Sequence, residues 1–292
     1  MIASFLPFAR AAVIALAAGA SALEAPETRW QEDIKATEAA YATNRFAILK
    51  IDDAVYLNPG ETAWLVAKPD GGSAWRLEKA APAIATATYA GGQITLAAGA
   101  KRVTFAAEAG GEISVDGARD VRAQMTQIAP GRMGVRLFAY NQANPAAKAF
   151  TGLSYFPYAP SYVVTAAFHA EPAQPMDFQT SRGWWKRFWR VGYAEFDLNG
   201  AHVKLPLYSG DAEGSDGLSA FFLDKTTGEE SYDTGRYLDA DADGPFPPKT
   251  VTLDFNYAYN PNCARTPHYN CPFARDVIAT AVRAGEMAPG DH

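Results

Sequence analysis

Between residues 27 and 44 the chain repeats at helical spacing. Trp30, Ile34, Thr37 and Tyr41 share one stripe, and Glu32, Lys35 and Glu38 occupy the other faces. This predicts an amphipathic helix resting on the first sheet. The period then switches to two. Residues 46–51, 62–67, 84–89, 93–97 and 103–107 alternate apolar and polar, punctuated by Gly, Pro, Asp and Asn. Ala90-Gly91-Gly92 and Val115-Asp116-Gly117 read as hairpin turns, and 132–140 as a further strand.

After a small, polar stretch at 141–149 the second half opens with 150–157, and a strand follows at 162–169. The clearest hairpin pairs 195–198 with 202–207 around Asn199-Gly200, whose residues tolerate the positive φ of a type I′ turn. A second pairs 218–224 with 231–238 around Thr227-Gly228, and 250–256 is the last strong strand. Residues 274–284 read as a short closing helix. Short strands at this spacing fit a sandwich or barrel. The expectation is a mainly β protein of two successive sandwich- or barrel-like subdomains, 23–145 and 146–292, with an N-terminal helix and a short C-terminal one. No Gly-rich phosphate loop follows a strand, so nucleotide fingerprints are absent.

Composition narrows the function. The chain has 292 residues, 26 Lys and Arg against 32 Asp and Glu, and a net charge of -6. That balance argues against nucleic acid as a partner, which needs a basic footprint. Residues 1–22 have the form of an export signal: Arg10, the apolar run 11–20, then Ala20-Ser21-Ala22 as a cleavage site. The apolar run is short for a membrane span and no later one is longer. The expected location is periplasmic or secreted, with no transmembrane span once the signal is removed; an uncleaved anchor is the rival reading. In an oxidising compartment the two cysteines, Cys263 and Cys271, are expected to form a disulfide. With His268 between them their spacing is not a standard zinc pattern, so no metal is predicted.

Polar residues crowd the apolar strands of the last third. The segments are F-T-G-L-S-Y-F-P from Phe150, F-F-L-D-K-T-T-G-E-E-S-Y-D-T-G-R-Y-L from Phe221 and L-D-F-N-Y-A-Y-N-P-N-C-A from Leu253. Cys271-Pro272 and Ala284-Gly285-Glu286 follow. In these motifs the chain resembles a bacterial family known as domain of unknown function 1684. The resemblance implies no activity and no cofactor. It implies that Asp224, Thr226, Gly228, Tyr232, Arg236, Asp254, Asn256, Tyr259, Asn260 and Cys263 recur among members.

Two readings of this set stay open. In one, Arg236 anchors a small polar or anionic ligand, since a guanidinium offers a bidentate donor fork. Asp224, Thr226, Tyr232, Asp254, Asn256, Tyr259 and Asn260 would then orient it. In the other, these groups form a buried network that sets strand register. A hydrolase using Asp224 or Asp254 as base beside Arg236 is a further alternative, with its catalytic residues otherwise unspecified. So is a structural or interaction protein. Trp184, Trp185 and Trp189, interleaved with Lys186, Arg187 and Arg190, would supply a contact surface or cap the sheet.

Overall fold

The structure, a computed structural model, describes residues 25–289; the export segment expected at 1–22 lies outside them. The chain begins with helix α1 (Pro26–Ala42). Strands β1 (Ile51–Leu57), β2 (Thr62–Ala67), β3 (Ser73–Arg76), β4 (Ala85–Ala90), β5 (Gln93–Ala98), β6 (Lys101–Ala106), β7 (Gly111–Ser114), β8 (Arg119–Ala129) and β9 (Arg132–Asn141) follow. They form two antiparallel sheets, ordered β1-β9-β8-β7 and β3-β2-β4-β5-β6. Period-two alternation turns Leu57, Leu65, Ile94, Leu96, Val135 and Leu137 into one sealed core between the sheets. Burial of each such side chain contributes roughly 1.5–3 kcal/mol.

After α2 (Pro145–Ala149) come β10 (Val163–Gln179), β11 (Trp185–Leu198), β12 (Ala201–Ser209), β13 (Leu218–Leu223), β14 (Arg236–Ala242), β15 (Thr250–Asp254) and the short β16 (Asp276–Val277). The order β12-β11-β10-β15-β14-β13 closes into a six-stranded barrel where Tyr208 pairs with Ser219. Closure removes the free edges that β12 and β13 would otherwise expose. Phe196, Leu205, Leu207, Phe222, Leu238, Leu253 and Phe255 fill the interior. The β11–β12 hairpin turns at Asn199-Gly200, with φ of 51° and 77° as a type I′ turn requires. The tip of the β10–β11 hairpin extends past β12, pairs with the 271–273 segment through Thr180 and Pro272, and reaches the sandwich. There the Gln127 side chain of β8 donates to the Arg187 carbonyl (2.8 Å) and accepts from the Arg187 N–H (2.9 Å).

Four expectations change. The helix does not rest on the first sheet: Trp30 donates to the Asn256 carbonyl and stacks near Tyr155 and Tyr158, and Asp33 accepts from Tyr257, so α1 docks on loops of the second half. Within residues 46–51, Ile48–Lys50 form a 3-10 turn and β1 starts only at Ile51. Residues 231–235 belong to a turn, and β14 starts only at Arg236. No helix forms at 274–284. Ile278, Val282 and Ala284 are buried there because the tail plugs the barrel end in extended form, which mimics helical spacing in the sequence. Ile278 N–H donates to Leu223, and Lys225 N–H to Thr280.

Candidate functional site

Arg236 opens β14 opposite Phe222, so it points into the barrel end. Its side chain is 1% exposed and that of Asp224 is fully covered. The guanidinium donates to Asp224 Oδ2 (2.6 Å) and to the carbonyls of Val282 (2.8 Å), Ala284 and Glu286 (3.4 Å). The four N–H bonds of its two terminal nitrogens therefore have four protein acceptors. Burial lowers the Arg236 pKa from its usual value, and Asp224 opposes the shift. The other Asp224 oxygen accepts from the N–H and hydroxyl of Thr226, both at 2.5 Å, and Thr226 also meets Ser231 (2.8 Å). This network ties the 224–235 turn to the tail. Losing one partner would strand a buried charge, at roughly 3–5 kcal/mol.

The remaining residues of the predicted set are spread over neighbouring loops. Asp254 Oδ1 caps the turn after β15 by accepting from the backbone and side chain of Asn256 (3.1 and 2.9 Å). Asn256 in turn clamps both backbone groups of Ala159. Tyr259 packs on Tyr237 outside the barrel wall at 5.7 Å. Tyr232 is half-buried near Cys263. The Asn260 amide donates to the Met287 carbonyl (2.7 Å), and its backbone N–H to Glu286 Oε2 (2.8 Å). The expected Cys263–Cys271 bridge is not formed in this structure: both are free thiols, Cys271 buried and Cys263 partly so. Of the tryptophans, Trp184 meets Tyr56 edge-on at 4.8 Å, Trp189 packs against the barrel core, and Trp185 is 49% exposed.

A second buried ion pair lies behind the loop 261–272. Arg265 Nη2 meets Glu286 Oε1 at 2.9 Å with both side chains almost covered, and Arg265 Nε has no hydrogen-bond partner. Burial raises the Glu286 carboxyl above its usual range, against the pull of Arg265.

Arg265, Thr266, Pro267 and His268 form one wall of a cleft of about 380 Å³. The opposite wall comes from the sandwich: Asp52, Lys68, Asp70, Asn141 and Asn144. Asp52 accepts from Ser73 (3.0 Å) and Asn144 (3.1 Å), and Asp70 from the Gly72 N–H (2.9 Å). Each carboxylate keeps lone pairs for further donors. His268 Nδ1 stands 3.9 Å from Asp53 Oδ1; burial lowers its pKa, Asp53 opposing, so the ring is neutral near pH 7. Glu286 neutralises Arg265 and Lys68 Nζ lies 3.5 Å from Asp70, so Asp52 leaves the lining one net negative charge. Of these residues only His268 stood out in the sequence. The Asp52-Asp53 pair opening an apolar strand was the available signal.

No helix among the described residues is long and apolar enough to cross a membrane. Residues 148–287 match the family described as "Protein of unknown function (DUF1684)", and the chain belongs to that family through this domain. It is similar to an uncharacterized protein of Haloarcula marismortui solved by solution NMR. The identity is 38% over 50% of this chain and 80% of that one, with a TM-score of 0.43. No curated protein matches the chain.

Proposed function

We propose that this DUF1684-family protein is exported and binds a small, donor-rich polar molecule, such as an amine or a polyol, in the cleft between sandwich and barrel. The observation that carries this reading is the convergence of Asp52, Asp70, Asn144 and His268 from separate segments on one open hollow. The size suits a small ligand, since such sites start at roughly 300 Å³. The acidic lining favours donors over anions. Arg236 supports the site from a distance: it holds the tail whose Glu286 fixes Arg265 in the wall.

The test is a thermal-shift screen of the mature chain with amines, amino acids, sugars and amino sugars. The intact mass of the exported protein fixes its start, expected near Leu23. A ligand at a hundred times its Kd should stabilise the fold by about 2.7 kcal/mol, a shift of several degrees. Asp70→Asn should weaken binding while leaving unliganded stability near that of the parent; Asn144→Ala should weaken binding and also cost about 1 kcal/mol, because its side chain caps α2. A screen without hits at millimolar concentration, or a hit indifferent to both substitutions, defeats the reading. An exported protein that retains residues 1–22 defeats signal cleavage.

A further inference from the structure

On its sandwich side the cleft is built around Gly72, which is buried in the turn from β2 to β3. Two backbone bonds hold that turn: Gly71 N–H donates to the Lys68 carbonyl (3.1 Å), and Lys68 N–H to the Gly72 carbonyl (2.9 Å). A Cβ placed on Gly72 would lie 3.1 Å from Asp70 Oδ1, 3.4 Å from Lys68 Cε and 3.5 Å from Asp52 Oδ2. Two carboxylates and the end of one lysine therefore ring a single point that glycine leaves unfilled. The Gly72 φ lies outside the left-handed region, so a side chain there would disturb this ring and not the backbone. The Lys68–Asp70 contact is long, at 3.5 Å, with the side chains 41% and 65% exposed. Such a pair is weakly held, and either partner can turn to a ligand. Donors stand beside the carboxylates. Asn141 is 8% exposed; its side-chain oxygen accepts from the Ala143 N–H (2.9 Å), and its amide nitrogen has no acceptor among the described residues. Asn144 links it to Asp52, donating its N–H to the Asn141 carbonyl (3.0 Å) and its side chain to Asp52 Oδ1 (3.1 Å).

We propose that the ligand of this cleft is a free α-amino acid, its ammonium between Asp52 and Asp70 beside Gly72 and its carboxylate on Lys68 and the Asn141 amide. This rests on the cleft as the binding site and narrows the ligand to one class. A simple amine meets the carboxylates and leaves the Lys68 and Asn141 donors without an acceptor, and a covered donor left unpaired costs free energy. A simple carboxylic acid does the reverse, and adds its charge to a lining that already carries a net negative one. A polyol bonds to both sets of groups and matches neither charge. A zwitterion satisfies both sets with charge-assisted bonds. Its ammonium and carboxylate share one carbon, which suits opposite charges ringed about one point. In the free protein Lys68 leans on Asp70; in the complex the ligand's ammonium takes Asp70, and Lys68 turns to the ligand's carboxylate. The cleft of about 380 Å³ leaves room for a side chain.

The experiment titrates the mature chain with the standard L-amino acids, each beside its decarboxylated amine and its deaminated acid, and reads Kd by calorimetry. At least one amino acid should bind, with its matched amine and acid each weaker by about tenfold or more, as the loss of a charge-assisted bond predicts. Lys68→Met should weaken that amino acid by about tenfold and leave its matched amine as tight as before or tighter, since Lys68 no longer competes for Asp70. Gly72→Ala should weaken amino acid and amine alike, because the methyl group enters the ring. Should Gly72→Ala misfold, the exposed Lys68→Met carries the test by itself. An amine or polyol that binds as tightly as any amino acid, and is weakened by Asp70→Asn, overturns the amino-acid assignment and leaves the cleft as a binding site. So does an amino-acid preference that survives Lys68→Met. An amino acid whose Kd is unmoved by Lys68→Met, Gly72→Ala and Asp70→Asn binds elsewhere, and defeats both the assignment and the cleft. A titration series in which no compound of any class binds defeats both as well.

Discussion

Lys186 shows how one residue records a conflict between neighbours. It lies in β11 with its side chain buried against the barrel exterior, among Arg136 and Cys271. Burial, then the Arg136 charge, pulls its pKa from 10.5 down to about 8, and Cys271 pulls the other way. The displacement corresponds to about 3 kcal/mol against the charged form in the folded state. Below pH 8 the lysine is charged in both states and the full cost applies. Between about 8 and 10.5 the unfolded chain binds the extra proton, so stability rises with pH and the cost fades. Lys186→Met is therefore expected to stabilise the protein at pH 7 by about 1–3 kcal/mol, allowing for relaxation. The gain should shrink toward zero near pH 10.5. Denaturant unfolding of both proteins at pH 7 and 10 measures it; a gain equal at the two pH values would contradict the assignment. The sequence displayed Lys186 inside a Trp-rich, basic run. That the amine turns inward while Trp185 turns outward follows from strand alternation, which the run of large residues on both faces obscured.

At the scale of elements, the tail after Cys271 is the segment whose role differs most from its sequence pattern. It runs extended across the barrel end, and its carbonyls at Val282, Ala284 and Glu286 satisfy Arg236. Gly285 makes this path feasible. Its φ is 80°, and a Cβ there would meet the Ala258 carbonyl oxygen at 2.5 Å and the Phe255 carbonyl oxygen at 2.7 Å. Gly285→Ala is expected to cost at least about 1–3 kcal/mol from backbone strain alone. It should also expose the tail beyond 281 to proteolysis before the barrel strands are cut. Limited proteolysis with mass analysis checks this; an intact tail in the variant would remove Gly285 from the account. The strands were legible because half-buried sheets enforce period two. The tail was not, since Ile278 and Val282 fall at i and i+4 by coincidence of an extended plug.

At the scale of the molecule, the cleft exists only because sandwich and barrel are held in one arrangement. The hold combines Trp184 on Tyr56, Tyr269 against Phe138 at 5.0 Å, and the side-chain amide of Gln127 bonded to both backbone groups of Arg187. Gln127→Ala strands those groups at a partly buried junction, which costs about 1–3 kcal/mol. The variant should lose that much in denaturant unfolding and show faster amide exchange at 184–188. Exchange that remains at wild-type rates there would mean the amide is dispensable to the junction.

Local and periodic properties of this protein were decided by its sequence alone. These are the alternating strands, the Asn199-Gly200 hairpin, the first helix, and the motifs that mark residues 148–287 as a DUF1684 domain. They depend on neighbours within a few positions, where side-chain period and turn chemistry suffice. Which polar groups meet solvent was decided only by the tertiary structure. Arg236 and Asp224 fitted an anion site and a buried network equally in the sequence, and four protein acceptors surround the guanidinium in the fold. Asp52, Asp70 and Asn144 looked like ordinary strand-end and turn residues, yet they face His268 across a hollow. Burial and convergence join positions as far as 226 residues apart, and no local pattern encodes the surface that such contacts leave open.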